Sequence, residues 1–540
     1  MTGGTRVIIT TRYPPSDVPS LPPKAHWEDL SDFAESSFLK ILQRDPQLEQ
    51  RIRSSELPME LLRDLYSKFG GTPRFLLQIR EAIKDMDAEM LKEELAKVEL
   101  PSQAKAGELQ KLRDKYFDDI FTERLFSLLS PESQMALIRL AIYNIPVSLE
   151  GIMAVAGGPL EKISGFVREW EDRAFVYPKT DSEEFWMVYG LLRGWLLYRL
   201  QFKERKATHK AAGDFLYGML QIQKGKEKVL GLSWLTCLEE ARVQYLQAED
   251  FNQACVTTGI LSAFYINSGL YEYVKNLNKQ LLKFKIHPRP MILIGLAQLN
   301  QGEYIRATES FNNALSSAEN PISIESMEAL HGLARIDRIK GDYSSARKRL
   351  LEMLYICREN GITKGEAAAI KELAMIDHDQ GDMDEAFEKF LKAMTIERNT
   401  GKKTVSPEIL HNIGSIYTSK KEFDKALEML FRALKLEQRT EDKHGEGMTF
   451  SSLGMVALWR NRLEDGLKLF ALSTVILRSI GHVDLRESEP IVSDLAKRLN
   501  YSPEQLELVL HNVTTSYKLD RGWGLIEAAF GKGRSGQTVS

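Results

Sequence analysis

The sequence predicts a mainly α-helical protein whose C-terminal half is an α-solenoid superhelix. Two observations predict this fold. A short motif recurs every 39 or 40 residues between residues 288 and 480, and the first 200 residues contain several helix-start motifs but few strand-like segments. Self-similarity at a fixed period of about 20–50 residues is typical of stacked repeat units, so the repeats are the first feature to explain.

Each repeat contains a polar turn that leads to a small residue and then to a large apolar one. The small residues are Ala307, Ala346, Ala386, Ala426 and Gly466. The large residues, four positions later, are Phe311, Leu350, Phe390, Leu430 and Phe470. Thirteen residues before each small residue begins an apolar–small pair: Ile294-Gly295, Leu333-Ala334, Leu373-Ala374, Ile413-Gly414 and Leu453-Gly454. The small residues let two helices approach closely, and the bulky residue fills the space between hairpins.

This order of residues resembles the tetratricopeptide repeat, in the long-period variety found in bacterial signalling and regulatory proteins. We expect five such units over residues 288–480 and degenerate helical repeats over 204–287. Capping helices are expected within 481–530, at about 487–499 and 502–513, and a disordered tail over 531–540. Because one hairpin cannot bury its apolar stripe alone, the units must stack.

Stacked hairpins form a superhelix with a concave groove lined by the first helix of each unit. By resemblance to the repeat pattern, we expect a protein ligand to bind residues on these helices; the alternative is that each is merely a solvated position. The candidates are Glu328, His331, Arg335, Arg338, Lys371, Met375, His378, Glu408, His411, Ser415 and Thr418. In the last unit, Met455, Leu458 and Trp459 form an apolar patch, which we expect the capping helices to cover; the alternative is a contact surface.

Residues 1–105 begin with a β-branched strand that ends in Thr10-Thr11-Arg12, and a helix over about 58–69 is followed by Gly71-Thr72-Pro73. This order resembles the second half of the nucleotide-binding module of STAND proteins, the class that includes NB-ARC proteins. The resemblance implies that Arg12, preceded by Thr11, is the sensor arginine. It also implies that Pro73 opens a helix that packs against adenine.

Residues 106–203 combine three helix starts with two short strands. Helices are predicted to begin at Ser130, Ser148 and Pro159, and strands at 174–177 and 185–188. Three helices and a β-hairpin form a winged helix, which STAND proteins carry at this point. The family has a diphosphate-holding histidine after the hairpin, where this chain has Tyr189, so nucleotide binding through this position is in doubt.

Catalytic motifs are absent from the sequence. It has no G-x-x-x-x-G-K-[ST] phosphate loop and no acidic Walker B strand, so we expect no cofactor and no enzyme activity. ATP or ADP would bind only if a P-loop half is supplied by a longer chain or a companion subunit; Met1-Thr-Gly-Gly favours an internal start. Cys357 is expected in the core rather than as a nucleophile, and no histidine spacing predicts a metal site.

Composition and net charge restrict the classes of binding partner and the cellular compartment that we expect. The 540 residues are 43% hydrophobic and 27% charged, with a formal net charge of -3. Such a charge balance does not favour binding to nucleic acid or to an anionic membrane. No apolar run in the sequence is long enough to span a bilayer. The presence of only three cysteines suits a reducing cytoplasm.

The leading hypothesis is the ligand-sensing arm of a STAND-like signalling or defence protein. The alternatives are a transcriptional regulator that uses the winged helix and the regulatory subunit of a caspase-like protease. Against the former, the candidate recognition helix 160–172 has more acidic than basic residues.

Overall fold

A computed structural model describes residues 33–101, 106–179, 182–223, 228–229, 232–399 and 405–531. The chain divides into two compact units, Met1–Ala248 and Glu249–Ser540, and each is described by itself. The boundary lies inside the predicted 204–287 segment. The mainly α-helical class and the α-solenoid are confirmed.

The first unit begins with short helices around an aromatic core. A π-helical turn, Asp118–Thr122, joins the last two of these helices. Phe69, Phe75, Phe117 and Phe121 are all buried, and the rings of Phe75 and Phe117 stack with their centroids 4.0 Å apart. The helices are α1 Glu35–Gln43, α2 Pro46–Arg53, α3 Met59–Phe69, α4 Pro73–Ala82, α5 Ala88–Ala96, α6 Ala106–Phe117 and α7 Glu123–Ser127.

Three helices and an antiparallel hairpin follow in the predicted order. They are α8 Pro131–Leu140, α9 Leu149–Ala156, α10 Leu160–Asp172, β1 Val176–Lys179 and β2 Ser182–Val188. The Ser130 hydroxyl caps α8 by accepting a hydrogen bond from the Ser133 backbone amide. Trp170 is fully buried, and its indole N–H donates to the Ser133 hydroxyl at 2.9 Å. The assignment of these elements to a winged helix stays a prediction.

The first unit ends in a helical pair held by buried polar groups. The elements are α11 Gly190–Arg199, α12 Phe202–Ile222, β3 Lys228–Val229, β4 Leu232–Ser233 and α13 Trp234–Gln247. The buried Glu240 carboxylate accepts hydrogen bonds from Asn144 and from Gln244. Gln244 in turn accepts from the Nδ1–H of His209 at 2.6 Å. Since buried polar groups are costly unless paired, this network specifies how these helices meet.

The second unit begins with six helical hairpins. In each, two consecutive helices pack side by side. The five predicted repeats correspond to α16–α25, and α14–α15 forms another hairpin before them. The helices are α14 Phe251–Asn267, α15 Tyr271–Phe284, α16 Pro288–Asn300, α17 Tyr304–Ser317, α18 Ile324–Ile339, α19 Tyr343–Glu359, α20 Thr363–Gln380, α21 Met383–Asn399, α22 Pro407–Ser419, α23 Phe423–Thr440, α24 Lys443–Trp459 and α25 Leu463–Ser479.

Glycine on the first helix and a large residue on the second pack as predicted. A β-carbon at Gly454 would lie 2.7 Å from the Phe470 ring, and one at Gly414 would lie 2.8 Å from Leu430 Cγ. The fully buried Phe311 contacts two glycines, Gly295 of its own hairpin and Gly332 of the next. Phe311 therefore joins two repeats, which is the role expected of the bulky position.

Three helices follow the last repeat, α26 Leu485–Arg498, α27 Pro503–Asp520 and α28 Trp523–Phe530. Two were predicted, and α28 was not. Val492 and Leu495 of α26 pack against Phe470 of α25, while Ile526 and Phe530 of α28 join the core of the last two repeats. The predicted tail falls on residues 532–540, which lie outside the described ones.

The link after α25 returns to the first hairpins of this unit. The Val483 backbone amide donates to the Asn300 carbonyl oxygen at 3.1 Å. A β-carbon at Gly269 would lie 2.6 Å from Ile480 Cα, and one at Gly302 would lie 2.7 Å from Val483 Cγ2. Both glycines have positive φ, so the turns between helices can approach the link this closely. The last hairpin of the superhelix thus touches the first two.

Candidate partner-binding groove

The first helices of the hairpins lie on the inner side of the superhelix. Neighbouring first helices contact one another, as α16 does with α18 and α22 with α24. A solenoid curves toward the side on which its helices approach each other. The predicted groove residues lie on α18, α20 and α22, and therefore on this concave side.

Polar contacts between neighbouring first helices connect most of the candidates. We call this set the inter-repeat ladder, because its members stand about one repeat apart in sequence. Its pairs are Arg289–Glu328, His331–Glu372, Arg338–Asp379, Lys371–Glu408 and His411–Thr449. The ladder holds repeats in register, and it was not predicted from the sequence.

The centre of the ladder keeps its charges at neutral pH. Burial opposes the charge of Glu372, but contacts with His331 and Lys371 outweigh it and lower the pKa of this carboxyl. The Lys371 ammonium lowers the pKa of Glu408 to about 2. For Lys371, burial is likewise outweighed by the Glu408 and Glu372 carboxylates, which raise its pKa. Among these three groups, two carboxylates outnumber one ammonium, and the nearby Arg335 guanidinium balances the excess negative charge.

His411 is neutral and joins a hydrogen-bonded chain. Burial, with a smaller electrostatic contribution from the neighbouring His444, lowers the pKa of His411 to about 4. Its Nδ1 lies 3.1 Å from the Thr449 hydroxyl, which donates to Glu437 Oε1 at 3.1 Å. Ser452 Oγ lies 3.4 Å from Nε2 on the other side of the ring. This arrangement fits the imidazole tautomer with its proton on Nδ1.

Arg335 differs from its neighbours on the concave side. Its half-buried guanidinium is close enough to lower the pKa values of Glu372, Glu408 and Asp484. Within the described part of the chain, however, no hydrogen bond or ion pair connects it to another side chain. It is therefore a groove cation that a ligand can pair with directly.

The other candidates separate into accessible and inaccessible positions. His378 lies 3.8 Å from Asp379 and remains partly exposed, and Ser415 is half-buried. Met375 packs against the repeat core. Thr418 is buried and donates to the Gly414 carbonyl oxygen, so its placement on the groove surface was wrong. The reason is its register: Thr418 follows Gly414 by about one helical turn and shares the face that packs on the second helix.

The apolar patch of the last repeat is largely uncovered. Met455 is 40% exposed and Trp459 is 51% exposed, although Leu458 packs toward α26 and α27. The expectation that capping helices cover this patch is therefore wrong for Met455 and Trp459, because those helices pack on α25 instead. Lys421 Nζ lies 5.4 Å from the Trp459 ring, a cation–π contact that leaves one ring face to solvent.

The candidate nucleotide remnant is described only in part. Thr11 and Arg12 lie outside the described residues. Pro73 is the first residue of α4, as predicted, but its side chain is not described. Tyr189 packs against Tyr177 of β1 with ring centroids 4.8 Å apart, and its amide donates to the Phe175 carbonyl oxygen. These observations leave nucleotide binding a prediction.

Cys357 lies in the repeat core, as predicted, with its sulfur 3.3 Å from the Met327 sulfur. None of the three cysteines, all of which lie in the described residues, forms a disulfide, and burial raises the pKa of each thiol to about 11. Thiolate is the reactive form, so these cysteines are poor nucleophiles at neutral pH. Across the described helices, none combines the length and apolarity that crossing a bilayer requires.

Sequence comparison identifies the repeats. The tetratricopeptide repeat family matches residues 365–439, which cover α20 to most of α23. No curated protein sequence matches the chain. The chain therefore contains tetratricopeptide repeats, which support a role in protein–protein interaction.

Structure comparison extends the likeness to the whole fold. A STAND protein with a tetratricopeptide repeat sensor from Pyrococcus horikoshii is 14% identical with a TM-score of 0.60, covering 93% of this chain and 68% of that one. The Cut9–Hcn1 hetero-tetramer of APC/C is 13% identical with a TM-score of 0.38, covering 92% and 97%. A Rap protein complexed with competence and sporulation factor is 13% identical with a TM-score of 0.30, covering 82% and 98%. At these identities, the first likeness concerns the fold alone, and the other two are too weak for argument.

Proposed function

We propose that this chain is the partner-binding arm of a STAND-like signalling or defence protein and that a protein ligand binds in its concave groove. The observation that carries the proposal is Arg335, a groove guanidinium without a direct partner among the described residues. Arg and Trp are enriched among residues that dominate binding energy at protein interfaces. Trp459 adds an exposed aromatic surface on a first helix of the same superhelix.

The two groups indicate what the ligand presents. Arg335 is suited to a carboxylate, with which a guanidinium forms paired hydrogen bonds. Met455 and Trp459 are suited to an apolar side chain. Arg335 lies on α18 and Trp459 on α24, so a ligand that uses both contacts the first helices of two different repeats. The inter-repeat ladder supports such binding because it holds the first helices before the ligand arrives.

The STAND part of the proposal is supported by the order of the elements in the first unit. Helices α8–α10 are followed by the β1–β2 hairpin, which is the element order expected of a winged helix, and the fold is similar to that of a STAND protein with a repeat sensor. ATP or ADP would bind only if a longer chain or a companion subunit supplied the P-loop half. The protein ligand would then act on the nucleotide-binding module by binding one of two arrangements of the domains more tightly than the other.

A transcriptional role has less support from α10. Its basic residue Lys162 pairs with Glu132, and Arg168 shares the helix with Glu161, Glu169 and Glu171. A recognition helix of this composition would repel phosphates. Regulation of a companion protease has no residue that favours it, and co-purification of such an enzyme would revive it.

The test is site-specific crosslinking in cells with a photoreactive amino acid at Arg335 or Trp459. We expect the same protein to be crosslinked from both groove positions. When the photoreactive amino acid is at position 459, the additional substitution Arg335→Glu should abolish that adduct. The matched control is Tyr355 on the second helix α19, which is 57% exposed. The proposal fails if the same adducts form from Tyr355, or if Arg335→Glu leaves the Trp459 adduct unchanged.

A further inference from the structure

Two histidines and an aspartate meet where the last hairpin returns to the first ones. They are His444 at the start of α24 and His482 and Asp484 in the link before α26. We propose that these three side chains bind a divalent transition-metal ion of the Zn²⁺ type. The proposal uses none of the groove candidates as a metal ligand and does not depend on a protein ligand.

The distances suit a mononuclear site. His444 Nε2 lies 2.7 Å from Asp484 Oδ2, and His482 Nδ1 lies 3.4 Å from the same oxygen. All three ligand atoms lie within 4.8 Å of one another. Zn²⁺ bonds of about 2.0–2.2 Å to nitrogen and oxygen bring tetrahedral ligands about 3.3 Å apart, so the ligand atoms already lie close enough. To bind one ion, the His482 ring must turn out of its stack on His444, and its Nδ1 must give up the hydrogen bond that it accepts from the Asp484 amide if that nitrogen is the ligand. Imidazole nitrogen and carboxylate oxygen form a ligand set that Zn²⁺ readily accepts.

Both segments that carry the ligands are held in place. His444 lies in the first turn of α24, two residues after the N-cap Asp442, whose carboxylate accepts from the Gly445 amide. The link is held by the hydrogen bond from the Val483 amide to the Asn300 carbonyl. His482 is buried, and its ring stacks on that of His444 with centroids 3.9 Å apart. A site whose ligands are already ordered loses little entropy when an ion binds.

Tyr271 supplies an independent observation that points to a ligand. It is 3% exposed, and its hydroxyl has no hydrogen-bond partner in the described structure. Its ring centroid lies 6.4 Å from that of His482. Burial, and then the carboxylates of Asp484 and Asp442, raise the pKa of this hydroxyl. Three protein ligands leave a fourth position for water on Zn²⁺, and such a water would give the orphaned hydroxyl a partner.

Nearby charged side chains have opposite effects on the binding of a cation at this site. Arg335 acts on His482 and Asp484 and opposes a cation, whereas the carboxylate of Asp442 favours one. Binding would also displace the proton shared by His444 and Asp484, since metal ligands must be deprotonated. The sequence did not show this site because its ligands come from positions 40 residues apart rather than from one short motif.

The experiment is titration of the full chain, purified with a chelator and then dialysed, with Zn²⁺ in a calorimeter and with Co²⁺ in a spectrophotometer. We expect one ion per chain with micromolar or tighter affinity and the intense visible absorption of low-coordinate Co²⁺. His444→Ala and Asp484→Asn should each weaken Zn²⁺ binding by about tenfold or more. His511→Ala, which removes an exposed histidine of α27 outside the cluster, should leave the Zn²⁺ affinity unchanged.

The wild-type titration keeps the test decisive if a variant fails to fold. The proposal is overturned if the wild-type chain binds no stoichiometric Zn²⁺ at micromolar free ion, or if Co²⁺ keeps the weak absorption of the hydrated ion. It is equally overturned if folded His444→Ala binds Zn²⁺ as tightly as the wild type, because the ion then sits elsewhere.

Discussion

The two units build their cores in different ways. Between residues 288 and 480, each hairpin uses a small residue on one helix and a large one on the other, and contacts link neighbours in sequence. The first unit instead joins distant segments, through the four phenylalanines of its aromatic core and through polar pairs such as Asn144 with Glu240. A periodic core can be inferred from the spacing of residues in the sequence. An aperiodic core depends on contacts between distant segments, which no local sequence pattern indicates.

The largest expected effect tests the aperiodic core. Phe117→Ala removes a buried ring that contacts Phe69, Phe75 and Phe121, and should cost about 3–5 kcal/mol. Denaturant unfolding with hydrogen exchange measures the loss, which should centre on α3, α4 and α6. Leu128→Ala, at a side chain 46% exposed, should cost far less. Equal losses from the two variants would show that the aromatic cluster does not organise this unit.

The next effect tests the periodic core. Gly332→Ala places a β-carbon 2.6 Å from Phe311 ring atoms, so the ring must shift and stability should fall by about 1–3 kcal/mol. Gly259→Ala in α14 is the matched control. A β-carbon there meets nothing within 4 Å, and alanine should stabilise the helix by about 0.5–1 kcal/mol. Thermal unfolding distinguishes the two, and the same sign for both would contradict close packing at Phe311.

A third effect concerns pH. Burial, with smaller contributions from Asp442, Glu446 and Glu408, raises the pKa of Glu437 from 4.5 to about 8, despite the Thr449 hydrogen bond. The folded state thus binds a proton that the unfolded state releases, and stability falls as pH rises from about 4.5 to 8. Glu437→Gln should remove about 2 kcal/mol of the decline between about pH 6 and 8.

Chemical denaturation at several pH values measures this slope. Glu428→Gln, on the exposed side of the same helix, is the control and should leave the slope unchanged. An unchanged slope in Glu437→Gln would mean that this carboxyl is ionised in the folded chain at neutral pH.

The smallest effect compares one buried tyrosine from each unit. Tyr143 donates to the Gly151 carbonyl oxygen at 2.9 Å, whereas the Tyr271 hydroxyl has no partner in the described structure. In chelator, Tyr143→Phe should lose about 1 kcal/mol, and Tyr271→Phe should gain about 1 kcal/mol because an unsatisfied buried hydroxyl is removed. Urea unfolding measures both, and a loss for Tyr271→Phe would reveal a hydrogen bond at that hydroxyl.

The sequence predicted the solenoid because its packing rule repeats. Phe311 and Phe470 could be assigned to the interior from their spacing alone, and the structure buries both. The helix starts at Pro131, Leu149 and Leu160 followed from local capping residues and proline. In each case the information lies within one repeat or one helical turn.

Features that depend on distant contacts could not be predicted. Helix α28 begins after the left-handed residue Gly522, and its first turn is capped not by the N-cap residue but by Asp520, whose carboxylate accepts from the Gly524 amide. The inter-repeat ladder depends on side-chain reach between helices, so the pairing of Lys371 with Glu408 was not visible. Arg335 was named with its neighbours, but only the structure distinguishes it from them. Thr418 was misplaced because its orientation depends on helix rotation, which the repeat pattern defines only to within a fraction of a turn.

The contact of the link at Ile480–Asp484 with the turns at Gly269 and Gly302 has a consequence for how this chain can change in evolution. Most solenoids tolerate duplication of a unit, since each unit meets only its neighbours. Here a 40-residue duplication between those points would carry Val483 away from Asn300 and His482 away from Tyr271. The number of hairpins between them is therefore constrained by ring closure, and repeats can be gained only outside it.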